Sequence, residues 1–147
     1  MTAETVPATG LSGTRARMHV AAIGLSGLMI LAIWAAFLLA GSGLFGFSHH
    51  NVGDLDHETL LDPHRVVGNI IEVLALLLLL AVLVARPGRN LVWLTLGLFV
   101  LAGPVQPILA GVGADHRWVG GLHVLNGGVI LALTFWVHLV ARKVPRT

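Results

Sequence analysis

Residues 63–85 read PHRVVGNIIEVLALLLLLAVLVA. A single acid, Glu72, interrupts a run that is otherwise apolar from Ile70 to Ala85. As a helix rising 1.5 Å per residue, this stretch spans the bilayer core of about 30 Å. It decides the fold, because a helix satisfies its own backbone hydrogen bonds where no water is present. Asp62-Pro63 predicts the start, with Asp as N-cap and Pro at the first helical position. The turn Arg86-Pro87-Gly88-Arg89-Asn90 predicts the end.

Three more apolar blocks lie on either side, at about 19–41, 91–111 and 119–141. Residues 1–18 are small and polar and read as a disordered cytoplasmic tail; 142–147 form a second tail. The first block is too long for a signal-peptide core of about 7–15 residues and reads as an uncleaved helix. Short connections favour antiparallel neighbours. The expected fold class is therefore all-α, a four-transmembrane-helix up-down bundle.

Composition agrees. Hydrophobic residues make up 56% of the 147 and charged residues 11%, against about 25% charged in a soluble domain. That excludes a soluble enzyme, a disordered chain and a nucleic-acid-binding domain; the expected surroundings are a lipid bilayer. The chain has no cysteine, so disulfides, thiolate metal sites and iron–sulfur clusters are excluded. No nucleophile elbow, HEXXH pattern or phosphate loop is present, and no reaction is assigned.

Positive charge orients the spans. Arg15, Arg17, Arg86, Arg89, Arg142, Lys143 and Arg146 lie at one end of the expected bundle; only Arg65 and Arg117 lie at the other. This count places both termini in the cytoplasm and the 42–62 connection outside, in the plasma (inner) membrane. That connection carries His49, His50, His57 and four acids without fixed ligand spacing, and reads as a solvated acidic loop.

Polar groups inside the spans are the candidate functional residues. Glu72 lies about 13 Å below the outer end of its helix. An acid at that depth is expected to be neutral and hydrogen-bonded in the bundle interior. Gln106, Asn126 and Asn69 sit at comparable depth, and the four are expected to form one polar layer. The third span carries Gly103-Pro104-Val105-Gln106-Pro107; two prolines remove two backbone donors and predict a kinked or loosened helix near its outer end, for packing or, alternatively, to widen the bundle for a ligand. His64 opens the second span and His123 the fourth, on helices diagonal in an up-down bundle. Two imidazoles across a diagonal have the geometry of a bis-histidine haem. The depths match only if Gly120-Gly121 breaks the fourth helix. His19 and His138 are expected to snorkel to the inner interface.

The segments LDPHRVVG at 61–68, QPILAG at 106–111 and GLHVLN at 121–126, with AGSG at 40–43, resemble small four-helix membrane proteins of actinobacteria. The layout over about 20–142 is also similar to one half of haem A synthase. The resemblance implies b-type haem held by His64 and His123, with Arg65 beside it. Haem A synthase has a glutamate three residues before its His-Arg pair; Leu61 stands there instead. The resemblance therefore implies a haem pocket, for electron transfer or haem handling, rather than oxygenation. Two alternatives stay open: a ligand-free accessory or assembly protein, with a membrane-protein partner or as a homo-oligomer, and a proton-coupled small-solute carrier using Glu72.

Overall fold

A computed structural model of the protein describes residues 13–46 and 57–144. The described residues are helical, without strands. They form α1 (Gly13–Gly46), α2 (His57–Ala85), α3 (Arg89–Val100), a π-helical turn (Leu101–Val105), α4 (Gln106–Asp115) and α5 (Arg117–Lys143). α3, the π-helical turn and α4 run on as one span. Four helices result that are long and apolar enough to cross a membrane, so this is a multi-pass membrane protein. Both ends of the described chain lie at one end of the bundle, here the termini end; the α1–α2 and α4–α5 connections lie at the other, the loop end.

The helices run past the expected spans. α1 already begins at Gly13, so residues 13–18 belong to a helix and not to a tail. α2 begins at His57 and carries Pro63 inside it, which corrects the expected start at Asp62-Pro63. A proline removes one N–H from the ladder, and near a helix end this is tolerated where water reaches the backbone. The acidic stretch 47–56, with His49 and His50, lies outside the described residues.

Between α2 and α3 the backbone turns through Arg86 at φ 50° and Gly88 at φ 150°. The second value belongs to the region that glycine alone occupies at little cost. At the other end, α4 folds back on α5. A Cβ on Gly113 would lie 2.8 Å from the backbone of Gly120, so this hairpin closes only because both residues lack side chains.

The core is not spread evenly. Ala22, Met29 and Ile33 of α1, Leu74, Leu78 and Val82 of α2, Leu91 and Leu98 of α3, and Ile130, Val137 and Ala141 of α5 are buried. They fill the bundle from its middle to the termini end. α4 buries no residue. It packs on α5 and the π-helical turn, and among the described residues it approaches neither α1 nor α2. α2 and α5 likewise make no close backbone approach, which places them on the diagonal.

Candidate functional site

The loop-end half holds a cluster of imidazole and amide side chains. His64 is the eighth residue of α2 and His123 the seventh of α5. Both thus lie about 10 Å below the start of their helices. Their depths match because α2 begins earlier than expected; α5 runs unbroken through Gly120-Gly121, so the match needs no break there. The two rings face each other, centres 6.2 Å apart and planes at 75°.

Each ring is oriented by a carbonyl on another helix. His64 Nδ1–H donates to the carbonyl of Ala36 in α1 at 2.8 Å. His123 Nδ1–H donates to the carbonyl of Gln106 in α4 at 3.2 Å. A carbonyl only accepts, so both Nδ1 atoms carry the proton and both Nε2 atoms keep a lone pair. An imidazole oriented through Nδ1 by a backbone carbonyl presents Nε2 as an acceptor; that of His123 lies 3.4 Å from the Gln106 amide nitrogen.

Gln106 and Asn126 lock α4 to α5. The Gln106 amide nitrogen donates to the His123 carbonyl at 3.2 Å and lies 3.4 Å from His123 Nε2. The Asn126 amide donates to Gln106 Oε1 at 2.6 Å and to the carbonyl of Leu101 at 3.1 Å. Leu101 opens the π-helical turn, and its carbonyl also receives the Gln106 N–H. The paired prolines widen the helical ladder here, and Asn126 bonds the carbonyl at its entrance. Gly127 completes the contact: a Cβ there would meet Phe37 at 3.4 Å and the Gln106 amide at 3.6 Å.

The expected four-residue polar layer is thus corrected to Gln106, Asn126 and His123. Asn69 is exposed, and Glu72 is half-buried at the edge of the packed face of α2. Neither side chain hydrogen-bonds to a described residue. The reason is rotation about the helix axis. Ile71, Leu74, Ala75, Leu78 and Val82 set the inward face of α2, and at 100° per residue Asn69 falls on the opposite side. Arg65 stays out of the cluster as well: it is 55% exposed and pairs with Asp62 at 3.6 Å.

At the termini end His138 and His19 depart from the expected snorkelling. His138 Nδ1 lies 2.9 Å from Ser26 Oγ, which itself donates to the carbonyl of Ile23. The ring is half-buried over Gly27, whose added Cβ would lie 3.7 Å away. His19 is fully buried and neither ring nitrogen has a partner. The Ala36 and Gln106 carbonyls are invisible to sequence reasoning, since backbone acceptors leave no mark in residue type.

Residues 36–114, more than half of the chain, match the family described as Family of unknown function (DUF6220). The chain belongs to this family. The stretch matching DUF6220 runs from the end of α1 to α4 and includes His64, Glu72 and Gln106; His123 and Asn126 lie beyond it on α5. No curated protein and no solved structure matches the chain.

Whether the cluster suits haem is a question of spacing and ligand number. Two imidazoles on opposite faces of one iron, each bonded at about 2 Å, place their ring centres about 6 Å apart. The observed 6.2 Å fits. Among the described residues no three histidine or carboxylate side chains gather to hold a bare ion. Two imidazoles suffice for a metal that brings four equatorial ligands of its own, as a porphyrin does. Among the described residues α2 and α4 make no close backbone approach beside the pair.

Proposed function

We propose that this protein is a b-type haem protein of the membrane, with His64 and His123 as the two axial ligands. The observation that carries the reading is the pair itself: two rings 6.2 Å apart on diagonal helices, each held by Nδ1 and each with Nε2 unprotonated. Bound haem supplies one-electron transfer. The chain's own part is to fix both imidazoles, to surround the group with apolar side chains, and to keep water out. Gln106 does two things here. Its carbonyl orients His123, and its amide leans on the His123 lone pair through a contact long enough to yield. Arg65 sits exposed at the mouth, where a propionate partner belongs. The layout similar to half of haem A synthase supports the same reading, as does the charge count that turns the site away from the cytoplasm.

The test is an absorption spectrum of the full chain purified in detergent and supplied with haem. A sharp reduced α-band is expected, lost in His64→Ala and in His123→Ala and kept in His138→Ala. A chain that stays colourless after reconstitution overturns the reading. So does a spectrum indifferent to both His64 and His123.

A further inference from the structure

α2 carries a second pattern, on the side turned away from the bundle. Asp62, Val66, Asn69, Val73, Leu76, Leu80 and Leu83 follow one another at alternating spacings of four and three residues. That is the spacing of a coiled-coil seam, with Val66, Val73 and Leu80 at a and Asn69, Leu76 and Leu83 at d. All are exposed; the apolar ones range from 41 to 58%. Apolar side chains facing lipid need no explanation. Asn69 does, because a carboxamide inside a membrane span requires a hydrogen-bond partner and none of the described residues supplies one.

The surface around Asn69 has a shape as well. A groove on this face is lined by Val66, Asn69, Ile70, Val73 and Leu74. In a parallel two-stranded pair, a d residue inserts between two a residues, the facing d residue and the e residue that follows it. For Asn69 those four are Val66, Asn69, Ile70 and Val73, the floor and walls of the groove.

We infer that α2 is the seam of a parallel homodimer, with Asn69 of one copy seated in the groove of the other. A second copy is the occupant that the residues describe. The carboxamide both donates and accepts, so two Asn69 side chains satisfy each other across a twofold axis. Two copies inserted with the same topology bring their α2 helices together in parallel. Val66 and Val73 at a with Leu76 and Leu83 at d favour two strands. At the mouth of the seam two Asp62 carboxylates meet, and two Arg65 guanidiniums beside them balance the charge. Glu72 immediately precedes Val73 and lines the pocket for the partner's Val73, which places it against the seam rather than in lipid.

The absence of native cysteine makes the test direct. Single cysteines are placed at each position from 65 to 84 of the full chain, and at Ile108 and Trp136 as exposed controls on α4 and α5. Each variant is oxidised in host membranes and again after purification into lipid vesicles. Disulfide-linked dimers are expected to peak at 66, 69, 73, 76 and 80, in both settings, and to stay low at the controls. Asn69→Leu, exposed in the single chain and so expected to fold, should weaken the dimer about tenfold in a dilution series followed by energy transfer. A cross-linking profile without the alternating period overturns the inference. A purified chain that stays monomeric in lipid overturns it too, even where a different protein is captured in the host. Unchanged association of Asn69→Leu removes Asn69 from the seam. None of these readouts depends on haem, so the dimer and the haem site stand or fall separately.

Discussion

In the termini-end half of the bundle all four spans close on one another around Met29, Leu78, Leu98 and Val137, each less than 2% exposed. In the loop-end half α4 leans on α5 and the π-helical turn alone, and α2 approaches the third span no further out than that turn. The polar side chains differ in the same way. In the closed half Thr95 and Thr134 donate to carbonyls of their own helices, Leu91 and Ile130, and the Ser26–His138 contact joins α1 to α5. In the open half His64, Gln106, His123 and Asn126 all bond to a different helix. Apolar packing holds the closed half. Directed hydrogen bonds hold the open half, and they leave room beside them.

Truncating the core should separate the two halves most sharply. Leu78→Ala removes a fully buried side chain and is expected to cost about 2–5 kcal/mol of unfolding free energy. Ile108→Ala on α4, where the side chain is 62% exposed, should stay within about 0.5 kcal/mol. Denaturation of both variants in mixed micelles measures the difference. Equal losses would mean that α4 is packed in the membrane as tightly as α2, and the contrast between the halves would fail.

The α4–α5 hairpin is the next place to press. Gly113→Val pushes a branched side chain into the Gly120 backbone, which a single Cβ already approaches to 2.8 Å. About 1–3 kcal/mol is expected. Because α4 carries the carbonyl that orients His123, any haem affinity should fall with it. Gly111→Val, whose Cβ meets nothing within 4 Å, is the control and should do neither.

The comparison also shows what residue type and spacing reveal. Long apolar stretches with few charges announce the four spans, because lipid tolerates nothing else. Gln106 and Asn126 are legible as polar groups at one depth, since depth follows from counting residues down a helix. Rotation about the axis is not legible in the same way. Leu76 to Leu80 are five leucines in a row, and a helix apolar all round gives no sign of which face is inward. Depth is therefore readable for Asn69 and Glu72 while facing is not: Asn69 turns away from the bundle and Glu72 lies at the edge of the packed face. Helix ends are illegible for a different reason: His57, Glu58, Thr59 and Asp62 are polar, yet 57–62 continue α2 by about a turn and a half before Pro63, so the start of α2 stands about as far from His64 as the start of α5 from His123.

Hydrogen bonds between helices should matter more than those within one. Asn126→Leu takes the donor from Gln106 Oε1 and one of the two donors from the Leu101 carbonyl, and a loss of about 1–2 kcal/mol is expected. Thr134→Val removes a bond that only returns to its own helix and should cost less than about 1 kcal/mol. The two measured under one condition test whether the open half is held as described. A costlier Thr134→Val would show that the closed half depends on its hydroxyls as well.

The smallest effect is expected at His19, and its sign is informative. The ring is fully enclosed by α1 and its neighbours, and neither nitrogen has a partner. An imidazole buried this way gives up its hydration and gains no hydrogen bond, so the packing around it tolerates the ring instead of using its polarity. Leucine offers similar bulk without polar atoms. His19→Leu should therefore leave stability unchanged or raise it by about 1 kcal/mol, where His64→Leu gives up the bond to Ala36 and lowers it. Unfolding of the two variants side by side measures this. A loss above about 2 kcal/mol in His19→Leu would show that the ring is bonded in the membrane. The closed half would then contain a second polar contact between elements, beside that of Ser26 and His138, comparable to those that hold the open one.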